Sequence, residues 1–424
     1  MSEVEKEQDV LERVWKPKRV LAAWRQVKKN AGAAGIDQMS VDEFAEHKTE
    51  LLRGAIVKLR EGTYRFKPAR RVLIPKPGKP GKFRKLGIPV VLDRVVAQSI
   101  HTVLEEIFDP GFSKSNFGFR RGKSQHQAIE YVRDLVAEGY SWCVSIDLQS
   151  FFDEIPHDLI FKLIRRKIAD ERLVTLIARA VKAGVVVEGK FEKSTKGVPQ
   201  GSPLSPILSN IVLNELDQEL DSRGLKYARW ADDFVVLVRS RRAAERAMGN
   251  ICAYLEDRLG LPVNREKSGV SKMAEVTFLG FRIYRHKIRI SPESIVKFKG
   301  QVRELTHRNN PLSMYAAIER LNRYLRGWAA YFGIQEFREL FWRIDPWIRN
   351  RLRSMQLAKW KKPGKFQRVM IAAGVPPWRA RRTWVAMRSW RSVRREEVRI
   401  ILGLEWFRKI GLVFLNDYTP APSE

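Results

Sequence analysis

Apolar positions change their spacing several times along this chain, and each change marks an element. Over the first 65 residues they recur at helical intervals, and the stretch Asn30-Ala31-Gly32-Ala33-Ala34-Gly35 separates helical segments. Residues 70–89, RRVLIPKPGKPGKFRKLGIP, hold two short β-like runs around a Pro/Gly/Lys turn, which predicts a hairpin. Helical spacing returns from Asp93 to about Phe108. Residues 140–147, YSWCVSID, are rich in aromatic and β-branched side chains and predict a strand. Another helix is expected from Asp158. After the loop 197–206, the apolar residues Leu208, Val212, Leu216 and Leu220 mark one helix face. The pair Asp232-Asp233 precedes the unbroken apolar run 234–238, typical of a buried strand, which puts both acids at a hairpin tip. A strand pair is predicted over 276–290. Beyond Ser291 the strand signal fades, and Met314, Ala317, Ile318, Leu321, Leu325, Trp328 and Phe332 keep near-helical spacing. The order is mostly α, then mixed α and β, then α.

Composition narrows the class. The 424 residues give room for two or three domains, and 44% hydrophobic content rules out disorder of the whole chain. Lysine and arginine number 79 against 48 acids, a net charge of +31, so a polyanion is the first partner to consider. Two cysteines, Cys143 and Cys252, make neither a disulfide framework nor a four-thiolate zinc site. The charged start lacks the apolar stretch of a signal peptide, and no run reaches the ~18–20 apolar residues of a membrane span. The expectation is a cytoplasmic protein with no membrane partner, nucleoid-associated when acting on DNA. The positive charge is uneven: residues 351–400 hold 15 Lys and Arg against Glu396 and Glu397 alone. Seven of the 12 tryptophans lie from Trp342 to Trp406, interleaved with that charge. Guanidinium groups and flat rings suit phosphates and unstacked bases, which makes Arg381, Arg382, Arg388 and Arg391 candidate nucleic-acid contacts. The plainer alternative is a basic helical bundle whose tryptophans are core.

Three acids carry candidate chemistry. Asp147 closes the predicted strand, and Asp232 and Asp233 sit at the hairpin tip. Joining nucleotides calls for two divalent ions, and hard Mg²⁺ keeps several waters, so two or three carboxylates plus substrate phosphates suffice. Strand ends in one sheet can hold such carboxylates rigidly although they are far apart in sequence. By itself an Asp-Asp pair is ordinarily a solvated turn.

Their surroundings change that reading. NAGAAGIDQMS (30–40), the 70–100 segment RRVLIPKPGKPGKFRKLGIPVVLDRVVAQSI, SNFGFRRGKSQHQAI, SIDLQSFFDEIPHDLI, KGVPQGSPLSPILSNIVLNELD, YARWADDFVVLV, GLPVNREKS and VTFLGFRI follow one another in order. Together they resemble the reverse transcriptase family in its group II intron type, collinearly over roughly residues 25–335. The resemblance implies an α+β right-hand polymerase, with fingers, a palm built on an antiparallel sheet, and a helical thumb. It implies fingers with an N-terminal extension over 1–135, interleaved with palm around 90–135 and 155–200, and a palm over 136–290. A maturase-like thumb follows over 291–375, where LNRYLRGWAAYF (321–332) carries the likeness, and a short basic nucleic-acid-binding region over 376–424. It makes Asp147, Asp232 and Asp233 catalytic ligands of two Mg²⁺ ions, with Mn²⁺ an acceptable substitute. It makes Lys76, Arg84, Phe152 and Gln200 deoxynucleotide contacts. Phe152 resembles the sugar gate, a ring that leaves no room for a 2′-hydroxyl; Phe151 is the alternative, and one of the two should face the core. Asp153 reads as structural. Trp230 departs from the family's usual Tyr-Ala-Asp-Asp. The last histidine is His307 and the last cysteine Cys252, so a nuclease module with His and Cys metal ligands is not expected, and the layout is most like the compact group IIC subclass.

The implied function is an RNA-directed DNA polymerase that binds intron RNA, assists its splicing and copies it into DNA at a target site, as a mobile element does. Its partners would be intron RNA, an RNA template, a DNA primer or target and deoxynucleoside triphosphates; the sequence also allows a homodimer. The alternative is a domesticated relative acting in DNA repair or defence without an intron. A third reading, an RNA-binding splicing cofactor without chemistry, sits badly with the intact set of acids and cations.

Overall fold

The alternating run after residue 69 pairs with its return strand as its spacing predicts. In the computed structural model of the protein, which describes residues 6–75, 81, 83–386 and 390–418, β1 (Ala69–Pro75) and β2 (Phe83–Ile88) are antiparallel, with Arg70 opposite Ile88 and Pro75 opposite Phe83. Next come β3 (Trp142–Ile146), β4 (Val185–Val187), β5 (Lys190–Glu192), β6 (Lys226–Trp230), β7 (Asp233–Val238) and β8 (Gly269–Lys272). They form two four-stranded sheets. One is ordered β2-β1-β4-β5, with β1 and β4 parallel; the other, β6-β7-β3-β8, is antiparallel throughout. The fold is α+β, as expected.

Helices precede and flank these sheets. Val41–Arg60 starts where it does because Ser40 Oγ accepts from Glu43 N at 3.1 Å while the Glu43 carboxylate accepts from Ser40 N. Such a capping box is worth about 1 kcal/mol. Ser205–Ser222 realises the four-residue spacing seen in the sequence; Leu208, Val212, Leu216 and Leu220 are all buried. After Asp233 every residue of β7 is buried. Val144, Ile146, Phe234 and Val236 join these leucines in one core, where each full burial contributes about 1.5–3 kcal/mol.

The chain divides into two compact units, Met1–Leu279 and Gly280–Glu424. In the second, β9 (Phe281–Tyr284) and β10 (Lys287–Ile290) form a two-stranded antiparallel ribbon. Strand structure thus begins later than the 276–290 pattern suggests: Phe278 is buried, and Leu279 and Gly280 both turn through positive φ, 49° and 82°. Helices follow, including Pro292–Leu305, Met314–Phe332, Glu339–Lys359, Pro363–Ala372 and Pro377–Ala386. Phe298, Leu321, Leu325, Trp328 and Phe341 make one core and Phe366, Met370, Val375 and Val398 another. Among the described residues no helix is long and apolar enough to cross a membrane.

Candidate active site

The register of the antiparallel sheet decides where the acids stand. Ile146 is opposite Phe234, so Asp147, the next residue along, runs out beside Asp233 at the end of β7. Trp230 pairs with Asp233, leaving Ala231 and Asp232 as a two-residue turn. Ala231 has φ 57°, a conformation such turns usually give to glycine. Protein packed around the turn raises the Asp232 carboxyl; the Asp147 charge adds to this, while Arg229 and Arg84 oppose it. Desolvation and then the Asp232 and Asp147 charges raise Asp233 as well, although its side chain is open to water, which screens part of that repulsion.

The β1–β2 hairpin brings Arg84 within electrostatic reach of Asp232. Lys76 lies outside the described residues. Phe151 is buried at 2% exposure and Phe152 half-buried, their ring centroids 5.3 Å apart, so Phe151 is the one that faces the core. Gln200 sits in a turn docked on β2 through its backbone, its carbonyl accepting from Gly87 N at 2.7 Å. A Cβ at Gly201 (φ 108°) would fall 2.6 Å from the Gly87 carbonyl oxygen, so only glycine lets the turn approach this closely. The Asp153 carbonyl lies under a similarly crowded Gly197.

Several residues at this site escaped the sequence reading. Arg229, with no exposed surface, binds Asp217, also fully buried, by two hydrogen bonds. It also donates to Asn210 Oδ1 at 3.0 Å and to the Ala231 carbonyl at 2.9 Å, so a buried guanidinium braces the strained turn that carries Asp232. Burial pushes the Asp217 carboxyl up and Arg229 pulls it back. Asn210 in turn donates to the Gly118 carbonyl at 2.8 Å. A Cβ on Gly118 would lie 2.3 Å from Ala231 N, so SNFG passes directly against the turn. Within a strand, Arg229 reads as one more solvated charge; only its place two residues before the turn hints otherwise.

Asp147 is clamped from the other side. Its N–H donates to Ser268 Oγ at 3.0 Å, its carbonyl accepts from Asn264 N at 2.8 Å, and Lys267 Nζ lies 2.8 Å from its Oδ2. Among the described residues no three His, Cys, Asp or Glu side chains form a set that would hold a metal ion alone. Three mutually repelling carboxylates are nonetheless hard oxygen donors. They fit an ion that keeps waters and draws its remaining oxygens from phosphates, rather than a protein-only cage.

In the second unit, Arg381 and Arg382 are exposed on Pro377–Ala386 beside Trp378, 62% exposed, over which Arg379 stacks at 5.4 Å. Arg388 lies outside the described residues, and of Arg391 only the backbone, in the turn Trp390–Arg394, is described. Trp347, Trp360, Trp384 and Trp406 pack partly buried against the helical cores, so much of the tryptophan enrichment is packing.

Residues 74–283 match the model of the reverse transcriptase (RNA-dependent DNA polymerase) family, and residues 295–372 match that of the group II intron maturase-specific domain. Protein YkfC of Escherichia coli K12 is 33% identical over 304 residues, 62% of this chain and 78% of that protein. The group II intron-encoded protein LtrA of Lactococcus lactis is 27% identical over 358 residues, 69% of this chain; the chain spans only 58% of the length of LtrA. Among solved structures, a Candida albicans telomerase in complex with a fragment of telomeric RNA aligns over 80% of this chain and 70% of its own at 12% identity and TM-score 0.44, too distant to carry the argument further. With the ordered blocks, the α+β fold and these two domain matches together, the chain belongs to the group II intron type of the reverse transcriptase and maturase family.

Proposed function

We propose that the protein copies RNA into DNA at the Asp147, Asp232 and Asp233 site, and that it binds an intron RNA, assists its splicing and copies it at a DNA target. The observation that carries the polymerase part is three carboxylates at adjacent strand ends of one sheet, with Arg84 of the fingers hairpin in electrostatic reach. Magnesium held by these acids would activate the primer's 3′-oxygen and neutralise the triphosphate. Arg84 and Lys76 hold the triphosphate and the charge that develops on it during transfer. Phe152, the less buried of the aromatic pair, lies under the sugar and excludes a 2′-hydroxyl, with Gln200 beside the incoming nucleotide. Trp230 packs beneath the primer end, where the family usually has tyrosine. Arg381, Arg382, Arg388 and Arg391 serve RNA or DNA binding from the second unit. Trp230 also gives some weight to the intron-free repair or defence reading, which splicing assays with the flanking RNA separate from the first.

Extension of a DNA primer on an RNA template tests the chemistry. Asp232→Ala should slow it by about 10³-fold or more, roughly 4 kcal/mol in the barrier. Undiminished extension would remove Asp232 from the site.

A further inference from the structure

The block 145–160 holds Asp147 and the pair Phe151-Phe152, and it also holds His157, which the site as described leaves without a task. His157 opens the helix His157–Ile164 directly after Pro156 and is buried, at 5% exposure. Its ring packs on that of Phe161, one turn further along, with centroids 6.2 Å apart. Nε2 lies 2.7 Å from the Gly197 carbonyl oxygen. A carbonyl only accepts, so Nε2 carries the proton and donates it. Burial lowers the proton affinity of the ring; the bond to Gly197 opposes that, and Lys182 adds to it. The ring is therefore neutral near pH 7, and its Nδ1 is buried with no hydrogen-bond partner among the described residues.

The acceptor belongs to a peptide unit that carries a second restraint. The Val198 N–H, at the other end of the same planar unit, donates to the Phe152 carbonyl at 2.7 Å. The Gly197 N–H donates to the Ile155 carbonyl at 2.8 Å. Gly197 itself takes φ 79°, and a Cβ there would fall 2.6 Å from the Asp153 carbonyl oxygen. A peptide plane that follows a glycine turns easily, and turning this one breaks both of its bonds together. Residues 193–199 line a cavity of about 330 Å³, so packing does not enclose this strap and hydrogen bonds carry its placement. Beyond it the chain reaches Gln200, whose carbonyl accepts from Gly87 N at 2.7 Å. Gly87 lies in β2, three residues after Arg84. Phe152, Gln200 and β2 are thus stitched to one strap, and His157 fixes the peptide unit at its start.

We propose that His157 is a positioning residue for sugar selection: by holding the Gly197 carbonyl, it keeps the Phe152 backbone and the Gln200 turn in one register. The inference deepens the nucleotide-contact reading above and rests on Phe152 being the gate. A buried histidine that only stabilises the fold is the competing role. It would lower the amount of active enzyme without distinguishing one sugar from another.

The test uses the full-length protein in single incorporations of dCTP and rCTP on an RNA template, with the active fraction titrated. His157→Gln places an amide donor near the position of Nε2, whereas His157→Asn places one near Nδ1, where the described residues offer no partner. The two share any general cost of a buried amide. His157→Asn should raise KM for dCTP and narrow the preference for dCTP over rCTP by about three- to tenfold, the range of one net hydrogen bond, with kcat for dCTP changed less. His157→Phe, which keeps a ring and deletes the donor, should match it. His157→Gln should keep the wild-type ratio. An unchanged ratio in the Asn and Phe variants, while Phe152→Ala does shift it, would overturn this inference and leave the gate reading standing. No shift in any of these three would overturn both. Equal shifts in the Gln and Asn variants would also overturn it, because the position of the donor would then not matter.

Discussion

Of the β-hairpins that bend through left-handed backbone, two are held in opposite ways. At the β6–β7 turn a single strained residue, Ala231, costs about 1–2 kcal/mol. It is braced from beneath by Arg229, Asp217, Asn210 and the closely packed Gly118. At the β9–β10 tip two strained residues stand in solvent with cations around them. The first design fixes one geometry before any ligand arrives, which suits the proposed role of these acids in holding reacting atoms in place. Among the described residues the second has no such brace, and its tip residues Arg285 and His286 are exposed.

Breaking the brace should give the largest effects. Arg229→Met or Asp217→Asn alone leaves a partner buried without its counterpart and should destabilise the protein by about 3–5 kcal/mol, read by denaturant unfolding. Combining Arg229→Met with Asp217→Leu should recover most of that stability yet leave extension impaired, since nothing then holds the Ala231 carbonyl. Full recovery of both would make the pair a packing element only. Gly118→Ala forces a methyl group against Ala231 N and should cost about 10²-fold in extension with the fold retained. Phe152→Ala should narrow the preference for dCTP over rCTP in single incorporations, whereas an unchanged ratio together with a shift in Phe151→Ala would move the gate to Phe151. The smallest effect belongs to the exposed arginines. Neutralising Arg381, Arg382, Arg388 and Arg391 should flatten the salt dependence of binding to a structured RNA by at most about 0.7 per residue, while extension of a short primer–template at saturation persists. Equal slopes would assign those residues to solvation of the bundle.

Where residue spacing reports local geometry, the sequence was informative. Leu208, Val212, Leu216 and Leu220 mark their helix because one face meets the core, and the run after Asp233 marks β7 because it is buried throughout. The antiparallel pairing of β1 with β2 was visible for the same kind of reason: proline and glycine between two β-like runs restrict or free the backbone locally. Features set by distant partners were hidden. β8 is a four-residue edge strand, GVSK, whose identity comes from pairing with β3 and not from its own side chains. The role of Arg229 depends on Asp217 and Asn210 on a neighbouring helix, and that of Gly118 on segments about 90–110 residues away meeting at the turn. The tryptophans beyond Trp342 misled in part, because a basic bundle also needs large core side chains, and Trp347, Trp360, Trp384 and Trp406 pack against its cores.

Copying is proposed to belong to Asp147, Asp232 and Asp233, and RNA binding to cations on other segments. The most direct measurement follows one protein carrying both Asp232→Ala and Asp233→Ala, assayed side by side for affinity to intron RNA and for cDNA made on an RNA template. Near-normal RNA affinity with cDNA synthesis reduced by about 10³-fold or more is the predicted result. cDNA synthesis that survives the double replacement would contradict the account.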